Sequence, residues 1–188
     1  MSTFKQKFFD ITGLIQAEFD RNMDIYGDKI QCRRGCSKCC SQIFRITALD
    51  GWIITQHVRS LPEPRKSELQ QKAREYLSAL NAAKKPDEES HGLPCPALGT
   101  EGECTIYEAR PVICRRFGMP IYDYKNPQNV HACELNFADG DEITDELLVP
   151  NQTTIGMKWD ELKEEFVASG HRTDKSIGTT IAEAIAEA

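Results

Sequence analysis

The sequence has no long hydrophobic run and no apolar leader. No segment approaches the roughly 18 consecutive apolar residues that a membrane-spanning helix needs. The N-terminal segment carries Lys5, Lys7 and Asp10, where a secretory leader would be apolar. These absences predict a cytoplasmic protein without a membrane partner, and the cytoplasm keeps thiols reduced.

The common catalytic signatures are missing as well. The sequence shows no Ser-His-Asp order, no Gly-rich phosphate loop and no His-Glu-x-x-His metal motif. It has no internal repeat, and strands and helices do not alternate as they do in parallel-sheet proteins. Catalytic residues therefore stay unidentified, and the sequence favours a chelating or interaction module over an enzyme.

Apolar residues recur at helical spacing through much of the chain. The predicted amphipathic helices cover about residues 4–23, 47–61, 65–85 and 157–168. Thr47 with Asp50 three residues later indicates a capped start for the second of them. A chain of 188 residues can bury a core without covalent staples and is normally one domain.

The predicted fold is therefore mainly α, a single small domain over residues 1–188. Its amphipathic helices would surround an irregular, cysteine-rich metal-binding centre at about residues 32–133. Residues 170–188 are predicted to be a flexible tail, because the helix-prone end of the chain is short.

Eight cysteines form two groups along the sequence, and none falls outside them. The candidate metal ligands of the first group are Cys32, Cys36, Cys39 and Cys40, and those of the second are Cys95, Cys104, Cys114 and Cys133. Four thiolates complete a tetrahedral zinc site or hold one iron–sulfur cluster, so two groups of four predict zinc or iron binding. In a reducing compartment, such spacing indicates metal ligands rather than disulfides.

The spacing leaves the arrangement of ligands open. Cys39 and Cys40 are adjacent, so they serve two sites, or one of them bridges, or one lies beside the metal without binding it. Gly35 is predicted to supply the backbone freedom that a tight turn needs. His131 is an alternative ligand near Cys133, because imidazole suits zinc and iron, although a loop histidine needs no such role.

Positive charge is concentrated beside the cysteines of an otherwise acidic chain. The net charge is −6, which disfavours binding to nucleic acid or anionic lipid. Residues 32–40 and 110–117 nevertheless hold six basic residues and no acidic one. These are Arg33, Arg34, Lys38, Arg110, Arg115 and Arg116. Two four-thiolate sites would bring about −4 of charge into the protein, so the six residues are predicted to offset it.

The cysteine segments carry a family resemblance over about residues 32–133. The matching segments are residues 32–40, 94–98, 104–111 and 114–115, with Cys133. Together they resemble the YkgJ-type cysteine-cluster proteins, zinc- or iron-chelating domains named for a Cys-x-x-Cys-x-x-Cys-Cys motif. Here three residues rather than two separate Cys32 from Cys36. The resemblance implies metal chelation by these cysteines and no settled reaction.

Other functions fit parts of the pattern. Cys32-x3-Cys36-x2-Cys39 has the spacing of the radical S-adenosylmethionine signature, but no strand–helix alternation follows, and Cys40 offers a fourth ligand. A zinc-based nucleic-acid module suits the local arginines but not the acidic net charge. The leading prediction is a chelating protein with structural or sequestered zinc or iron. The alternative is an iron–sulfur protein in electron transfer or a radical-type enzyme component. Metal ions are the predicted partners, and a protein partner stays unidentified.

Overall fold

The computed structural model describes residues 3–82, 92–127, 130–138, 141–171 and 179–188. These residues are mainly helical, which confirms the predicted fold class. The helices are α1 (Phe4–Tyr26), α2 (Ala48–Arg59), α3 (Glu63–Ala82), α4 (Val112–Arg116), α5 (Leu148–Ala168) and α6 (Ile181–Ala186). The short strands are β1 (Arg45–Ile46), β2 (Ile121–Tyr122), β3 (Val130–His131) and β4 (Thr179–Thr180). No helix in the described ranges has both the length and the apolar character needed to cross a membrane.

The internal contacts of the chain divide it into two compact units. The first unit is Met1–Arg33 with Val112–Thr173, and the second is Arg34–Pro111 with Asp174–Ala188. Each unit thus combines segments that are distant in the sequence. The single domain predicted over residues 1–188 stays a prediction.

In the first unit, α1 packs against α5 through an apolar face. Phe8 is fully buried, and its ring meets that of Trp159 edge-on, with the centroids 6.1 Å apart. The ion pair between Lys7 and Glu165 (2.6 Å) lies at the rim of the same interface. The helix α5 begins earlier than the predicted residue 157, because Pro150 lies in its first turn, where a missing N–H removes no hydrogen bond.

In the second unit, α2 opens with the capping box that the sequence predicts. The Asp50 N–H donates to the Thr47 hydroxyl, and the Thr47 N–H donates to the Asp50 carboxylate, both at 3.1 Å. These bonds satisfy two donors that the first helical turn leaves without partners. The buried face of α2 includes Ile54 and Val58, neither of which is exposed to solvent.

The C-terminal segment packs into the second unit. β4 pairs antiparallel with β1, Arg45 opposite Thr180, and α6 contacts α2 and α3. Ala184 and Ile185 are completely buried. This packing differs from the flexible tail predicted for residues 170–188, of which 172–178 lie outside the described residues. Isolated helices this short are unstable, so α6 depends on tertiary contacts that the local sequence does not reveal.

Thr180→Ala is expected to lower the free energy of unfolding by about 1 kcal/mol, because the Thr180 hydroxyl caps α6. The Glu183 N–H donates to that hydroxyl at 3.2 Å, and the Thr180 N–H donates to the Glu183 carboxylate at 2.7 Å. Urea denaturation of the variant and of Thr180→Ser, which keeps the hydroxyl, measures the effect. Equal stability of the two variants would contradict the capping role.

Candidate metal centre

The two compact units divide the eight cysteines differently from the two groups of four along the sequence. The first unit holds a three-cysteine set, Cys32, Cys114 and Cys133. The second unit holds a five-cysteine set, Cys36, Cys39, Cys40, Cys95 and Cys104. No disulfide bond joins any of them in the described residues, which include all eight. Each set therefore mixes cysteines from both sequence groups.

A tight hairpin carries Cys95 and Cys104. Leu98 and Cys104 form an antiparallel bridge, and the Leu98 N–H donates to the Cys95 carbonyl oxygen at 2.9 Å. The Thr105 N–H and hydroxyl both donate to the Ala97 carbonyl, at 2.8 and 2.9 Å. The hairpin thus brings Cys95 and Cys104 close together although they are nine positions apart.

The turn that carries Cys39 and Cys40 is bonded to this hairpin. Lys38–Ser41 forms a short 3₁₀ helix. The Cys95 N–H donates to the Cys40 carbonyl oxygen at 2.7 Å. One backbone hydrogen bond thus joins a cysteine of the first sequence group directly to a cysteine of the second.

A second junction is the close approach of two glycines. Gly35 has φ +90° and Gly102 has φ +79°, so both adopt the left-handed conformation that favours glycine. A Cβ on Gly102 would lie 2.8 Å from the Gly35 carbonyl oxygen and 3.2 Å from its Cα. Cys36 follows Gly35, and Cys104 lies two residues after Gly102, so this contact holds their segments together. The turn predicted at Gly35 is present, whereas its contact with Gly102 is not visible in the sequence.

The thiols of this set interact electrostatically. A hydrogen bond from Cys40, with the nearby positive charge of Arg110, lowers the pKa of Cys39 to about 6. The Arg110 guanidinium also donates to the Cys39 sulfur at 3.7 Å. The pKa of Cys40 is raised because Cys40 keeps the shared proton, because it is partly buried, and because Cys39, Cys95 and Cys104 add negative charge. Burial raises the pKa of Cys95 to about 11. The negative charge of the pair is therefore favoured on Cys39 rather than on Cys40.

The basic residues predicted to offset thiolate charge have different contacts. Arg110 touches Cys39 and lies over the ring of Tyr107, 5.9 Å from its centroid. Arg116 instead donates to the Gln152 side chain at 2.6 Å and to the Tyr122 carbonyl at 3.3 Å. The contacts of Arg110 agree with the predicted charge compensation, and those of Arg116 assign it a packing role.

In the first unit, the buried Asn136 connects the segments of the three-cysteine set. Its side-chain oxygen accepts from the Gln31 N–H at 2.8 Å, and its amide nitrogen contacts the Cys32 sulfur at 3.7 Å. The same nitrogen donates to the Gly118 carbonyl, and the Asn136 N–H donates to the Cys133 carbonyl at 2.8 Å. Sequence reasoning missed this residue, and its position three residues after Cys133 was the only local signal.

Gly118 lies against the side chain of Cys32. A Cβ on Gly118 would clash with the Cys32 sulfur, so the absence of a side chain makes room for the thiol. Gly118 lies four residues after Cys114, on the segment that follows α4. His131, the alternative ligand, lies on β3, where it is exposed and opposite Ile121.

The donor chemistry of the five-cysteine set fits zinc or iron, since thiolates are ligands that both metals accept. Within the ranges described, no group of three or more His, Cys, Asp or Glu side chains is arranged to hold a metal ion.

Comparison with known proteins identifies the family. No curated protein and no solved structure matches the chain. A family model named CxxCxxCC, described as a putative zinc- or iron-chelating domain, matches residues 31–134. This range covers more than half of the 188 residues and includes all eight cysteines. The chain belongs to the CxxCxxCC family, whose description supports metal binding in general.

Proposed function

We propose that this protein chelates zinc or iron through its cysteine thiolates and that the metal is structural or sequestered. The observation that carries the proposal is the placement of five of the eight cysteines in one compact unit, with the Cys39 sulfur beside the guanidinium of Arg110. A partly buried group of thiolates is unfavourable unless cations and hydrogen-bond donors surround it. Arg110 supplies such a donor to Cys39.

Each part of the cluster has a definite role under this proposal. The thiolates would bind the metal, which when bound would cross-link the segments that carry them. Arg110 offsets negative charge. A site filled by four thiolates leaves no open position for a substrate, which is why a structural or sequestering role is favoured over hydrolysis. The proposal includes a cytoplasmic location, where a reducing environment keeps the thiols available.

The test is elemental analysis together with acid-labile sulfide on protein purified without oxygen. We expect zinc or iron bound to the chain, and zinc without sulfide for a structural or sequestered ion. A Cys39→Ser, Cys40→Ser double variant should lose bound metal, whereas Ser41→Ala in the same turn should retain it. Wild-type protein that holds neither metal after anaerobic purification and reconstitution would contradict the proposal.

An iron–sulfur protein is the second candidate, favoured by the contact between Cys39 and Cys40. Their neighbouring thiols share a hydrogen bond within one cluster. Two adjacent sulfurs suit a cluster with several iron atoms better than a single ion. Iron with stoichiometric sulfide and a brown colour would favour electron transfer or a role as an enzyme component.

A further inference from the structure

We infer that Cys39, Cys40, Cys95 and Cys104 form one complete ligand set, with two ligands from each of the two sequence groups. The inference rests on the proposed metal binding and goes beyond it by assigning the ligands. It replaces the simplest interpretation of the sequence, in which each group of four neighbouring cysteines would form its own site.

The backbone brings the four residues together. The hydrogen bond from the Cys95 N–H to the Cys40 carbonyl spans 2.7 Å, which holds these two residues side by side. The bridge between Leu98 and Cys104 folds the chain back, so that Cys104 returns toward Cys95. Cys39 precedes Cys40 in the same 3₁₀ turn. The segments are thus joined by backbone hydrogen bonds.

The side chains agree with this assignment. The Arg110 guanidinium, from the segment that follows Cys104, donates to the Cys39 sulfur at 3.7 Å. Arg110 lies near both Cys39 and Cys95. One cation therefore lies near thiols from both sequence groups.

The assignment also says which thiols of the chain are not in this set. Four thiolates complete a zinc site or hold one cluster, so Cys36 is a fifth thiol outside the set, although its segment touches the hairpin through Gly35 and Gly102. Cys133 belongs to the first unit.

Differential alkylation of the wild-type protein tests the assignment. Metal-loaded chain is treated with N-ethylmaleimide under anaerobic conditions, with and without a chelator, and each cysteine is followed by peptide mass spectrometry. We expect the four thiols to be protected by metal and to become reactive together, at one chelator concentration. Cys36 should react alike in both conditions. A Cys133→Ser variant should leave the chelator-dependent protection of the four unchanged.

The outcomes separate this inference from the proposed function. Wild-type protein without bound metal would contradict metal binding itself. Metal-loaded protein in which Cys39 and Cys40 are released separately from Cys95 and Cys104 would overturn the mixed set and leave metal binding intact. As a second measurement, Cys40→Ser, Cys95→Ser and the double variant should each lose the same amount of metal. A double variant that loses the sum of the two single losses would also overturn the set.

Discussion

Asn136→Leu is expected to lower the free energy of unfolding by about 3 kcal/mol, because it leaves buried polar groups without partners. Asn136 is only 4% exposed and bonds the Gln31 N–H, the Gly118 carbonyl and the Cys32 sulfur. Leucine has a similar volume, so the loss reports the hydrogen bonds rather than a cavity. Chemical denaturation measures the change.

Two control variants identify the cause of the loss. Asn136→Asp keeps the oxygen that accepts from the Gln31 N–H and removes the amide that donates to the Gly118 carbonyl. Asn126→Leu changes an exposed asparagine and should alter stability by less than about 0.5 kcal/mol. We also expect Cys32 to react faster with N-ethylmaleimide in Asn136→Leu. A stability equal to that of Asn126→Leu would contradict the role of Asn136 as the connection between these segments.

Gly102→Ala is expected to destabilise the protein by about 2–4 kcal/mol through backbone strain and a steric clash. Alanine disfavours φ +79°, and its Cβ would lie 2.8 Å from a backbone oxygen that cannot rotate away. The Gly35 and Gly102 segments must then separate. We therefore expect thermal stability and metal content to fall together, since metal binding and folding are coupled.

Gly35→Ala is the matched control for the clash. Gly35 has φ +90°, but a Cβ there would meet only the Glu101 carbonyl oxygen, at an ordinary 3.8 Å. This variant should show the conformational strain alone, about 1–2 kcal/mol. Gly92→Ala, which meets nothing within 4 Å, should be close to neutral. Equal losses of stability for Gly102→Ala and Gly35→Ala would show that the close approach of the two glycines adds nothing to the destabilisation.

The sequence predicts the long helices because their signals are local. The apolar spacing of α1 and the capping box of α2 each lie within a few consecutive residues, and both appear in the structure. The burial of α6 was not predictable in this way. Ala184 is small, and Ile185 is a single large apolar residue in an acidic, helix-prone end of the chain. Only the contact of α6 with α2 and α3 makes them core residues.

For the candidate site as well, the local features could be predicted from the sequence and the long-range contacts could not. Composition and spacing alone identify eight cysteines as candidate metal ligands and place basic residues beside them, because residue chemistry does not depend on the fold. The assignment of those cysteines to units, the Cys40–Cys95 hydrogen bond and the Gly35–Gly102 contact depend on where the chain returns in space. Such long-range contacts leave no periodic trace in a sequence. The sequence therefore determined the kind of chemistry, and only the tertiary structure decided which cysteines share a compact unit.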